Sequence, residues 1–183
     1  MDTAVHTYAG IGSRSTPPDI LYAMEQIGAG LGRMGWVLRS GAADGADSAF
    51  ERGCRSAEGQ AEIFLPWPNF NGHTSQLNVI SPAAMELACK FHPLGQRLRY
   101  KPPVLKLMAR NAYQLLGYTL DAPAELVICW TPDGSHDGRG PGSGGTGQAL
   151  RMASCYHVPV LNLADAGDLA KVRRMLDGAQ IGG

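Results

Sequence analysis

Eight consecutive residues, Ser40-Gly41-Ala42-Ala43-Asp44-Gly45-Ala46-Asp47, join the apolar run Trp36-Val37-Leu38 to a segment that can continue as a helix. Glycines at 41 and 45 let the main chain turn tightly and bring its N–H groups close to a bound anion. A helix opening near Gly45 adds the positive end of its dipole at the same point. An ordinary strand-to-helix connection reads the same way, so one such turn decides nothing. The pattern recurs, however. Gly10-Ile11-Gly12-Ser13-Arg14 follows a first short apolar run and carries a guanidinium suited to a phosphate. Gly144-Gly145-Thr146 ends a glycine-rich stretch after a later one. The candidate phosphate-binding residues are therefore Gly10, Gly12, Ser13, Arg14, Ser40, Gly41, Ala42, Gly45, Asp47, Gly144, Gly145 and Thr146. Asp44, Trp67, Arg110 and Trp130 are candidates for additional contacts. No residue stands out as catalytic, and none as a metal ligand.

An alternation of strands and helices must position these turns. Strands are expected at Thr7–Ala9, Trp36–Arg39, Ala61–Leu65, Glu125–Trp130 and Val158–Leu163. Helices are expected at about 16–34, 45–55, 82–91, 104–116, 148–155 and 165–176. In the first helix Thr16 suits the N-cap, Pro17 and Pro18 the first turn, and Asp19 the dipole. Ile20, Met24, Ile27 and Leu31 share one of its faces. Leu126-Val127-Ile128-Cys129 is apolar at successive positions, as in a strand covered on both faces.

This order predicts an α/β fold: a Rossmann-like, doubly wound parallel sheet of about five strands, with helices on both faces and right-handed crossovers. All strand-to-helix turns then share the carboxyl edge, where a ligand sits at the reversal of strand order. Residues 1–183 read as a single domain. Within it, 67–102 is an insertion and 177–183 a frayed tail. The pair Trp67 and Phe70 reads either as a platform for a nucleobase or as an apolar lid. Thr131–Thr146 is too long and glycine-rich for a plain connection in a compact domain.

Apolar residues make up 44% of the chain and charged residues 17%, and the formal net charge is zero. That composition is globular and gives no global attraction to nucleic acid or anionic membrane. No apolar run approaches a membrane span, and no signal peptide is evident, so a cytoplasmic protein is expected. Cys54, Cys89, Cys129 and Cys155 are widely spaced and read as buried thiols. One local exception to neutrality runs from Ala88 to Leu120. It holds six basic residues (Lys90, Arg97, Arg99, Lys101, Lys106, Arg110) and no acidic one.

Gly12-Ser13-Arg14 and Ser40-Gly41-Ala42-Ala43-Asp44-Gly45-Ala46-Asp47 resemble the Gly-Ser-Arg and Ser-Gly-x-Ala-x-Gly-x-Asp motifs of DprA/Smf DNA-processing proteins. These belong to the SLOG group of Rossmann-like domains, which includes the LOG phosphoribohydrolases. The likeness covers about residues 4–66 and, more loosely, 125–163. It implies nucleotide binding, a homo-oligomer (dimer or higher), and a compact stand-alone form like those of bacteria and their phages. The departures are specific. Phe50-Glu51 stands where Ala-His is usual in DprA proteins. Pro141-Gly142-Ser143-Gly144-Gly145-Thr146-Gly147-Gln148-Ala149 follows the LOG frame Pro-Gly-Gly-x-Gly-Thr-x-x-Glu, with Ala149 in place of the glutamate. An alanine can neither transfer a proton nor stabilise an oxocarbenium ion.

Three functions follow as expectations. The first is non-catalytic binding of a small nucleotide-derived phosphate ligand, such as a signal that is sensed or sequestered, with no further cofactor. The second is DprA-like binding of single-stranded DNA, favoured by the basic 88–120 region and opposed by Asp44, Asp47 and Glu51. The third is hydrolysis of a nucleotide N-glycosidic bond, with Asp47 or Asp44 in place of the lost carboxylate.

Overall fold

A computed structural model describes residues 5–140 and 144–180. Its sheet has five short strands: β1 (Thr7–Gly10), β2 (Val37–Ser40), β3 (Ala61–Ile63), β4 (Leu126–Cys129) and β5 (Val160–Asn162). All are parallel, in the order β3-β2-β1-β4-β5. The helices are α1 (Pro18–Arg33), α2 (Ala46–Ser56), α3 (Pro82–Phe91), α4 (Pro102–Leu116), α5 (Gly144–Cys155) and α6 (Ala166–Gln180). This is the Rossmann-like α/β fold that the alternation of elements predicts. The strand order reverses between β1 and β4, so the crevice such sheets use for ligands opens beyond their carboxyl ends.

Side chains leave a strand alternately on its two faces. In β4, Leu126 and Ile128 enter one core, with Met24, Ile27 and Leu31 of α1, Phe50 of α2 and Val172 of α6. Val127 and Cys129 enter the other, with Ala88 of α3, Ala109 and Leu116 of α4 and Leu150 of α5. Four consecutive apolar residues are what two cores require.

Local differences from the sequence expectation have local causes. Thr16 is not the N-cap of α1: its hydroxyl donates to Ser13 O at 2.6 Å, closing a turn, and Pro17 holds the cap position. Helix α5 begins at Gly144 rather than Gln148, so three glycines read as loop, Gly144, Gly145 and Gly147, fall in its first turn. Helix α6 runs to Gln180, so 177–180 is helical rather than frayed, while 181–183 lie outside the described residues. Cys54, Cys89 and Cys129 are buried thiols, but Cys155 is exposed on the far end of α5.

The 67–102 segment is stitched to α4. Ser81 caps α3, and its backbone N–H donates to the Tyr113 hydroxyl at 2.8 Å. Phe70 is buried in the first core, with the half-buried Trp67 edge-on at 5.2 Å. The pair is therefore a packed cover rather than an open stacking platform. No described helix is long and apolar enough to cross a membrane.

Helices α1 and α2 touch backbone to backbone. A Cβ on Gly53 would lie 1.9 Å from Glu25 O, and one on Gly28 would lie 2.5 Å from Phe50 O. Gly53→Ala is expected to destabilise the fold by about 1–3 kcal/mol, as overpacking does. Gly178→Ala, in open space on α6, should not. Urea midpoints of the two variants test this, and equal midpoints would rule out so close a crossing.

Candidate functional site

Beyond the carboxyl ends of β1 and β4 lies a cavity of about 310 Å³. Gly12, Ser13 and Arg14 reach it from the turn after β1, and Ala43 and Asp47 from the turn after β2 and the start of α2. Gly144, Gly145 and Thr146 reach it from the first turn of α5, and Arg110 from α4. The turns after β1 and β2 and the start of α5 thus meet on one rim.

The other sequence candidates divide in two. Gly10, Ser40, Gly41, Ala42 and Gly45 build the rim from behind. Ser40 Oγ donates to Gly10 O at 2.9 Å, tying the ends of β1 and β2 together. Ala42 O accepts from Asn71 Nδ2 at 2.9 Å, and Gly45 directly precedes α2. A Cβ on Gly41 would lie 2.5 Å from the Arg110 guanidinium carbon, so a side chain there would displace that guanidinium. Gly12 likewise has no room for a side chain, since its Cβ would meet that of Ala46 at 2.6 Å. Asp44 is exposed, while Trp67 and Trp130 pack against the first core; none of the three lines the cavity. Pro141, Gly142 and Ser143 lie outside the described residues.

The floor is an ion pair. Asp47 and Arg110 are both buried, with Arg110 Nη1 3.8 Å from Asp47 Oδ2. Arg110 Nη1 also donates to Gly41 O, and its guanidinium lies 5.8 Å from the centre of the Phe70 ring. Its Nε finds no acceptor among the described residues. Burial pushes the Asp47 carboxyl above the usual carboxylate range, against the pull of Arg110 and the amides of Ala43 and Gly41. Burial pulls the Arg110 guanidinium down, Asp47 opposes this, and the nearby Arg14 adds to it. Arg14 is exposed at the cavity mouth and pairs with no described carboxylate. Two like charges thus face one space, and the nearest countercharge is already committed.

Sequence reasoning missed the wall that α4 supplies. Asn111 and Gln114 line the cavity beside Leu107 and Met108. Asn111 Nδ2 donates to Gly145 O at 3.2 Å and to Gln148 Oε1 at 2.9 Å, so α4 fixes the first turn of α5. Amides of a helix's first turn have no acceptor within the helix. The signal was present: Arg110, Asn111 and Gln114 are polar residues in two turns of helix that bury almost every side chain. Ala149, where the LOG frame has its glutamate, also lines the cavity.

The loop after β4 is held rather than slack. Asn162, at the end of β5, donates to Thr131 Oγ1 at 2.7 Å and to Ser135 O at 2.8 Å. His136 bonds Asp168 on α6, and Asp168 also takes Lys171 Nζ at 2.7 Å and Asn162 N at 3.0 Å. On the far side Arg151 clamps Gly138 O and Phe91 O together.

No protein-family model and no curated protein matches this chain. Among solved structures it is similar to a Moco carrier protein from Chlamydomonas rheinhardtii, with a TM-score of 0.51 and 14% identity. The likeness covers 97% of this chain and 87% of that one. It is a likeness of fold, carried through nearly the whole length of both chains.

Burial raises the Asp168 carboxyl, but bonds from Lys171, His136 and the Asn162 amide outweigh it and hold the group at about 2. A carboxyl lowered on folding contributes stability above its unfolded value of about 3.9 and loses it as pH falls through the folded one. Acid unfolding should therefore steepen between about pH 4 and about pH 2. Asp168→Asn should unfold more easily at neutral pH and lack that acid limb. Parallel acid limbs in thermal melts would show that Asp168 does not carry the anchor.

Proposed function

We propose that this chain binds a small nucleotide-derived phosphate ligand in the cavity beyond β1 and β4 and performs no chemistry on it. One observation carries the reading: Arg14 and Arg110 face the same space beside the first turn of α5, with a single buried carboxylate among the described lining residues. Guanidiniums and helix N-termini are the groups that recognise phosphate. The cavity of about 310 Å³ lies at the small end of ligand pockets, roughly 300–1,000 Å³. That size favours one compact ligand over a strand.

The motif resemblance to SLOG domains supports the same reading, and Ala149 argues against LOG-type hydrolysis. The fold neighbour's name describes a carrier, which is a binding role of the same general kind. Four free cysteines accord with a reducing, cytoplasmic setting. A homo-oligomer remains part of the proposal on the motif resemblance alone.

A second reading rests on a different surface. Tyr100 is 87% exposed, between the exposed Arg97, Arg99 and Lys101. An aromatic among cations suits stacking and phosphate contact along single-stranded DNA. Arg110 does not join that patch, because it is buried against Asp47.

Titration with adenosine monophosphate by calorimetry should give saturable binding in the roughly micromolar range, with Arg14→Ala weaker by about tenfold. Absence of binding by any nucleoside monophosphate removes the proposal. Free base released on incubation removes its non-catalytic half. An oligodeoxynucleotide bound more tightly than the mononucleotide, with affinity falling steeply with salt, would install the second reading instead.

A further inference from the structure

The buried pair on the cavity floor sets a condition on what enters, and this inference rests on the anion-binding reading above. Asp47 stands on the cavity wall, and its Oδ2 accepts from Ala43 N at a long 3.4 Å. Its separation of 3.8 Å from Arg110 is wider than a hydrogen-bonded ion pair. Arg110 in turn has an Nε with no acceptor among the described residues, in a side chain only 8% exposed. The pair is loose on both sides although both side chains are nearly buried and open only to the cavity.

The charged group facing Asp47 is Arg110 from α4, with the uncharged Gln114 beside it; Arg14, from the turn after β1, lines the same cavity and acts on Arg110. On α2 itself, Glu51 is committed to Arg55 and His73, and in the turn before α2 Asp44 is exposed. Helix α5 brings only uncharged lining residues, and the covering segment brings Phe70.

An anion that reaches Arg110 must lie next to the Asp47 carboxylate, where water is scarce and repulsion is strong. We propose that Asp47 is the specificity-determining residue of this cavity: its carboxylate and the ligand's anionic group compete for Arg110, so binding takes up one proton from solvent at Asp47. The amides of Gly41 and Ala43, which resemble a phosphate cradle, serve this internal carboxylate. The ligand is left with Arg14, Arg110 and the start of α5. Such a floor admits one compact anionic group and disfavours a run of phosphates.

The test uses sulfate, which stays a dianion throughout, titrated into the full-length protein and into Asp47→Asn between about pH 5.5 and about pH 8.5. Wild-type affinity should fall by up to about tenfold per pH unit toward the alkaline end. The variant keeps an acceptor for Ala43 N, and should show a flat profile with roughly tenfold tighter binding near pH 8. Calorimetry of the wild type in buffers of unlike ionisation enthalpy gives the proton count without any variant. A count near one supports the proposal. Sulfate binding with a pH-independent affinity, a slope unchanged in Asp47→Asn, or no proton uptake overturns it while leaving anion binding intact. Failure to bind sulfate or adenosine monophosphate at any pH takes down both readings together.

Discussion

Arg110 is the residue on which the site depends. Removing a guanidinium from water costs several kcal/mol unless charge and hydrogen bonds replace the solvent. Here the replacements come from separate parts of the chain: Asp47 at the start of α2, the carbonyl of Gly41 after β2, and the ring of Phe70 in the covering segment. Each constrains its own neighbourhood. A side chain on Gly41 would displace the guanidinium, α2 begins where Asp47 reaches the floor, and residues 67–72 fold back over the turn. Satisfying one buried cation thus draws three elements to the same edge of the sheet.

The same edge is braced from the side of β4 and β5. Asn162 ends β5 and uses its amide to hold Thr131 and Ser135, while Asp168 receives His136, Lys171 and a backbone amide. Asn111 then couples α4 to the first turn of α5. A glycine-rich loop carries a large conformational entropy, and ordering it needs anchors of this kind. Anchors at Thr131, Ser135 and His136 hold the first part of the loop that follows β4.

These two sets of contacts differ in electrostatic character. Around Asp168, hydrogen-bonded side chains and an amide surround a buried carboxylate, and its acidity is strengthened. Around Asp47, burial dominates and the acidity is weakened despite a neighbouring guanidinium. Desolvation wins where the partner stands off at 3.8 Å, and hydrogen bonds win where partners are in contact. The first carboxylate is an anchor; the second sits where a ligand would arrive.

The chain's own pattern determined the architecture. Apolar runs of strand length, three of them followed by glycine turns, alternate with segments of helical periodicity and admit little besides a parallel sheet with helices on both faces. In such a sheet the turns after β1 and β2 and the start of α5 share one edge, so Gly12, Asp47 and Gly145 were legible as neighbours. Tertiary structure alone decided what that edge contains. Arg110 read as a candidate contact within a run of six basic residues, yet it is buried in an ion pair, because the residues that neutralise it are dozens of positions away. Asn111 and Gln114 did not stand out as a cavity wall, and Trp67 and Phe70 read as either a platform or a lid until packing made them a cover. Periodicity records which face of an element is apolar; it does not record which polar group from another element will meet it. Pairings such as Asp47 with Arg110 or Asn162 with Thr131 exist only once the strand order brings their elements together.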